Sequence, residues 1–170
     1  PYGFTPLEDL PPDGELTEAD LGDAALFTDA GEENRQAAER FQEWVALGLP
    51  CQLRTVQAYH ESWPMIIDVI HEVSGGAGGG SFLWRMRTGG AITEQRFSYL
   101  VTDGTEVYLS NGADWESTEQ YDSDRATLVP SGFGEPLVDL AEEMTADRLA
   151  GNLVRYRVTS PDGVWTASLT

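Results

Sequence analysis

Beyond its carboxylates, this chain carries few groups able to act as nucleophile, general base or metal ligand: His60, His71 and Cys51, with no lysine at all. All ten basic residues are arginines. That excludes a phosphate-cradling Gly-Lys-Ser/Thr loop, a Ser-x-x-Lys acylation site, a Schiff-base amine and a lysine general base. His60-Glu61 begins like the helical zinc-protease motif, but the chain continues Ser62-Trp63-Pro64. No second histidine follows, and Pro64 denies the helix such a motif needs. His71 lies at even spacing from Ile67, Val69 and Val73, on an apolar strand face, where a backbone partner is the expected role. If the two histidines sit on adjacent strands they could meet across a hairpin, with Glu61 or Glu72 as a third ligand. No Gly-x-Ser-x-Gly elbow exists, and Cys51, between Pro50 and Gln52, reads as a small buried hydrophobe.

Carboxylates are plentiful, with 29 acids in the chain. Glu72, Glu94 and Glu106 fall in expected strands and could face one another, as paired general acids and bases do at about 5 to 9.5 Å. With so many acids such a pair arises by chance, and solvated strand faces are the simpler reading. The polar loop holding Asp114, Glu116, Glu119, Asp122 and Asp124 is the best cation candidate. It lacks the residue order and closing glutamate of a helix-loop-helix calcium site, so Asp114, Glu116, Asp122 and Asp124 would form an irregular oxygen site at most.

Aromatic residues point to recognition. Trp84, Phe97, Tyr99, Tyr108, Trp115 and Tyr121 gather in expected hairpins and their edge loop, and most should fill core. Arg85, Arg87 and Arg96 flank the same hairpin, able to stack on rings or pair with carboxylates across strands. Trp84, Arg85, Arg87, Arg96, Tyr99, Tyr108 and Trp115 are therefore the candidate ligand-binding residues, suited to a protein or peptide partner. No cofactor is implied.

The elements that must position these groups follow from charge and periodicity. The chain has 170 residues, a length that suits one domain, and 41% hydrophobic residues give it a real core. A net charge of −19 disfavours nucleic acid and anionic membrane surfaces as partners. No run approaches the roughly 18 apolar residues a membrane span needs. Residues 1–33 hold ten acids and no base, with Pro6, Pro11 and Pro12, so residues 1–30 read as an extended acidic arm with a short strand at Ala24–Thr28. Ala37, Ala38, Phe41, Trp44 and Val45 make one apolar stripe, predicting a helix over 34–47 that Gly48 and Pro50 stop.

From Cys51 the period changes to two. Strands are expected at Gln52–Tyr59, Met65–Val73, Ser81–Thr88, Ile92–Thr102 and Thr105–Ser110, with Met65–Val73 central because both its faces are apolar. Asp103-Gly104 predicts a two-residue hairpin, and Thr88-Gly89-Gly90-Ala91 a second such turn. The glycines of Ser74–Ser81 precede a strand rather than a helix, so they form a flexible connector and not a dinucleotide loop. A strand at Ala126–Val129, a helix over 136–150 and a hairpin of Leu153–Thr159 with Val164–Leu169 complete the chain. Short connections imply antiparallel pairing. The expected fold is α+β: a curved antiparallel meander packed on one or two helices, residues 31–170 forming a single domain behind the arm.

Three stretches carry a family resemblance: Thr5-Pro-Leu-Glu-Asp-Leu-Pro-Pro-Asp13, Pro50-Cys-Gln-Leu-Arg-Thr-Val-Gln57, and the run from Phe97 to Glu116. Together they resemble an extracytoplasmic domain of gut Clostridia-type Firmicutes. It is similar to regions of predicted secreted lipoproteins and to segments beyond the membrane part of relatives of the BlaR-type metallopeptidases. The resemblance carries over no catalytic residue; the zinc motif of those peptidases is absent, and a lysine-dependent penicillin sensor cannot be present. It implies a place outside the cytoplasm and a sensory or tethered role. The chain opens on Pro1 without a charged-then-apolar leader, so we expect a trimmed fragment anchored through an upstream segment. The expected function is a non-catalytic binding or sensor domain, the alternative being a carboxylate-based or metal-assisted hydrolase.

Overall fold

A computed structural model describes residues 3–22, 25–27, 31–59, 62–73, 80–115, 125–129, 154–160 and 163–169. His60, Glu61, the glycine run 74–79, the acidic loop residues 116–124 and the helix expected over 136–150 lie outside them. The described chain consists of two mostly antiparallel sheets with few helices, an α+β arrangement.

Helix α2 (Gly31–Ala46) follows the short helix α1 (Glu18–Leu21) and strand β1 (Ala25–Phe27). Of the expected stripe, Phe41 and Ala38 are buried while Trp44 and Val45 pack beside them. The stop is the one the sequence predicts. Gly48 adopts φ +70°, a region costly for residues with a Cβ. The Leu49 amide then donates to the Trp44 carbonyl at 3.0 Å and the Gly48 amide to Val45 at 2.9 Å, closing the last turn.

The larger sheet is built on β2 (Cys51–Tyr59), β3 (Ser62–Val73), β4 (Gly80–Thr88) and β5 (Ala91–Phe97), with the hairpin β9 (Val154–Ser160) and β10 (Gly163–Leu169) beyond β2. Its order is β10-β9-β2-β3-β4-β5, so β3 is central as its two apolar faces predict. One pairing departs from the antiparallel expectation: β1 lies parallel to β2, Ala25 opposite Arg54 and Phe27 opposite Val56. Helix α2 connects the two strands, and a crossover of that length is what parallel neighbours require. The second glycine turn forms as expected, Gly89 and Gly90 both at positive φ with Thr88 opposite Ala91.

The strand predicted as Ile92–Thr102 is two. β5 ends at Phe97, and β6 (Tyr99–Thr102) belongs to a smaller sheet with β7 (Val107–Ser110) and β8 (Arg125–Thr127). Tyr99 is opposite Ser110, and the Ser98 amide also donates to the Ser110 carbonyl at 3.1 Å. Two residues thus face one, a β-bulge. The inserted residue reverses the alternation, so Phe97 and Leu100, three apart, both reach the core. The Asp103-Gly104 turn is shifted by one residue: Asp103 and Glu106 close it through a weak 3.4 Å bond, with Gly104 at φ +94°.

Pleating divides the larger sheet into two faces. Cys51, Leu53, Ile67, Val69, Phe82 and Phe97 join Phe41, Leu109 and Leu128 in the main core between the larger sheet, α2 and the smaller sheet. On the reverse face Val56 and Ile66 pack against Leu7, Leu10, Leu16 and Leu21. Residues 3–22, part of the segment expected as an extended arm, therefore lie against the sheet. Pro6 and Pro12 hold extended backbone before the short turns Leu7–Asp9 and Asp13–Glu15.

Candidate functional site

Among the described residues, Cys51 and His71 both have structural employment. Cys51 is fully buried, and burial pushes its thiol up to about 12, so no thiolate is available near neutral pH. His71 is 4% exposed; its Nδ1 lies 2.8 Å from the Leu49 carbonyl, and the ring stacks on Phe82 at 5.1 Å. A Cβ built at Gly80 would stand 2.3 Å from His71 Nε2, so the imidazole's other edge faces bare backbone. Among the described residues no group of three histidine, cysteine or carboxylate side chains could hold a metal.

The reverse face of the larger sheet carries a charged row that sequence reading missed. Arg54 on β2 is opposite Asp68 on β3, Asp68 opposite Arg85 on β4, and Arg85 opposite Glu94 on β5. Arg54 is fully buried and grips Asp68 with two bonds, Nε to Oδ1 at 2.7 Å and Nη2 to Oδ2 at 2.8 Å. Its remaining donors reach the Thr5 carbonyl at 2.8 Å and the Leu21 carbonyl at 3.4 Å, and the Phe4 ring covers the guanidinium at 4.8 Å. Arg87, also buried, donates to the carbonyls of Pro11 at 2.6 Å and Leu7 at 3.3 Å. Asp13 Oδ1 is 3.2 Å from Arg87 Nη2, close enough for charge pairing but without hydrogen-bond geometry. Arg85 bridges Glu94 at 2.6 Å and Glu8 at 3.1 Å. These forks fasten residues 3–22 to the sheet through backbone carbonyls, work suited to a planar, always charged guanidinium.

The seven candidate ligand-binding residues therefore do not share one surface. Trp84 packs against the main core, while Arg85 and Arg87, one residue to either side of Met86, turn to the reverse face. Arg96 is exposed and paired with Glu72. The candidates on the smaller sheet and in the loop after β7 do come together. Tyr108 packs against Trp115 with centroids 5.1 Å apart and planes tilted by 34°, and the Arg125 guanidinium lies over both rings, 5.4 Å from Tyr108 and 5.0 Å from Trp115. Arg125 is opposite Ser110, which is opposite Tyr99, so the 44% exposed Tyr99 lies on that same face of the smaller sheet. The Tyr108 hydroxyl donates to Glu106 Oε2 at 2.9 Å and approaches Asp103 Oδ2 at 3.3 Å. Burial first, then the Glu106 carboxylate, pushes that hydroxyl up to about 12, so it stays protonated. Asp103 is held low by backbone amides of Glu106 and Thr105, both donating to Oδ1 at 2.8 Å.

Of the proposed cation ligands, Asp114 is exposed and Glu116, Asp122 and Asp124 lie outside the described residues, as do Glu119 and Tyr121. Arg125 went unnoticed in the sequence because a single arginine heading a three-residue strand carries no local signal. Its even spacing from Thr127 along β8 is the only hint that it shares a face with Tyr108. No described helix is long and apolar enough to cross a membrane. No family model matches the chain, nor does any curated protein or solved structure.

Proposed function

We propose that the chain is a non-catalytic binding or sensor domain of the extracytoplasmic family it resembles. It works outside the cytoplasm, tethered through an upstream segment, and recognises a protein or peptide at the cell surface. Its body is read as a curved meander with the acidic N-terminal segment as an arm laid along one face. The observation that supports this most is the Tyr108–Trp115 pair with Arg125 across both rings, flanked by exposed Tyr99 and the carboxylates of Asp103 and Glu106. Tyrosine, tryptophan and arginine are the residues that anchor protein interfaces, because each combines a large apolar area with a polar tip. The buried roles of Cys51 and His71 agree with recognition rather than turnover.

A displayed random-peptide library panned against the domain tests the reading. Peptides selected by the wild type should lose at least about tenfold in affinity on the Tyr108→Ala/Trp115→Ala double variant, whose fold is checked by its melting transition. A library that yields no binder, or binders indifferent to the double variant, overturns it. Hydrolysis of a peptide or glycoside panel dependent on added calcium or zinc would favour the metal-assisted alternative instead.

A further inference from the structure

Among the described residues β5 has a ladder neighbour on one side only, β4. Thr88 and Ala91 close a two-residue turn, so they exchange both ladder bonds. Alternation then turns the amides and carbonyls of Ile92, Glu94 and Arg96 away from β4. Thr93, Glu94 and Arg96 are exposed. Charges usually protect such an edge from pairing. Here they are opposite in sign and two residues apart, which permits one register of self-pairing and opposes the others.

We propose that this edge pairs with the same edge of a second copy, antiparallel about a two-fold axis at Gln95. A two-fold at residue 94 sets Glu94 against Glu94, and one at residue 96 sets Arg96 against Arg96; both are repelled. A two-fold at residue 93 places Ile92 opposite Glu94 and leaves Arg96 without a facing charge. Only the axis at Gln95 makes Glu94 and Arg96 face each other twice, in the outward-pointing positions that exchange backbone bonds. It also continues an existing pattern. The row Arg54, Asp68, Arg85, Glu94 alternates in sign across four strands and ends at the open edge on a carboxylate. The second copy's Arg96 supplies the next cation. The ladder spans residues 93–97 of each copy, because Ile92 would face Ser98, whose amide is already given to Ser110.

So short a contact makes a weak, reversible dimer, and the net charge of −19 on each copy opposes it at long range. Association should therefore strengthen as salt rises to about 0.15 M, where the screening length falls to about 8 Å. Sedimentation equilibrium of the full chain up to about 1 mM, the range for weak contacts, tests the pairing with Glu94→Arg and Arg96→Glu. Each variant alone places like charges opposite and should lower association about tenfold or more. An equimolar mixture restores both opposite-sign pairs and should associate at least as well as wild type. A monomeric wild type, or a mixture no more associated than its components, overturns the proposal. If either variant fails to fold, hydrogen exchange on wild type decides. The amides of Glu94 and Arg96, the outward-pointing ones within the ladder, should gain protection with concentration, and concentration-independent exchange at both refutes the pairing.

Discussion

Arg54→Met is the substitution that most directly probes what joins residues 3–22 to the sheet. Methionine keeps the apolar stem of arginine but ends where Nε stood, so the guanidinium is removed. Asp68, 2% exposed, would then be a buried carboxylate stripped of both its short bonds. Breaking one partner out of a buried pair typically costs about 3–5 kcal/mol, because the remaining charge is left uncompensated. The Leu21 carbonyl also loses a donor, whereas the exposed Thr5 can rehydrate. Arg85 faces Asp68 in the ladder and is already engaged by Glu94 and Glu8, so any swing toward Asp68 offers partial relief. The lower end of the range is therefore expected: about 3 kcal/mol, or roughly 6–12 °C in Tm for a chain of this size. Urea unfolding followed by tryptophan fluorescence measures the loss, and Arg54→Met/Asp68→Leu should recover most of it by removing the orphaned charge. A single variant within about 1 kcal/mol of wild type, below the usual cost of breaking a buried pair, would refute the reasoning.

Gly80→Ala drives a methyl to 2.3 Å from His71 Nε2, while Leu49 and Phe82 hold the other side of the ring, so an overpacking cost of about 1–3 kcal/mol should appear in thermal unfolding. The Asp103 carboxyl sits below its ordinary value of 3.8 because the Glu106 and Thr105 amides bind the ionised form. A depressed folded-state value means its support for the hairpin is complete above pH 3.8 and is lost as pH falls through the lower folded value. The amide resonances of Thr105 and Glu106 should follow that acid transition, and shifts that titrate instead above pH 5 would contradict it.

Much of the scaffold is written in local pattern. The stripe of Phe41, Trp44 and Val45, ended by Gly48 and Pro50, marks a helix because its terminal signals lie within one turn of each other. The two-sided apolarity of Met65–Val73 marks a central strand for the same reason. Other features depend on partners remote in sequence. Nothing in Leu53-Arg54-Thr55-Val56 distinguishes a solvated arginine from a buried one; Asp68 and carbonyls from residues 5 and 21 decide it. The bulge at Ser98 was legible only in hindsight, as the three-residue step from Phe97 to Leu100 in an otherwise alternating run. The candidate recognition residues were half visible. Tyr108 and Trp115 stand out by type, but strict alternation along β4 sends Trp84 to one side and Arg85 to the other, so proximity in sequence did not mean a common surface.

The extra residue at Ser98 has a mechanical corollary. One covalent run is laced to β4 before it and to β7 after it, on opposite flanks. A load applied to the smaller layer is carried in part by that run, alongside the core contacts of Leu109 and Leu128 with the larger sheet. A force exerted at Tyr108 and Trp115 would thus pull on the same thread of backbone that carries Glu94 and Arg96.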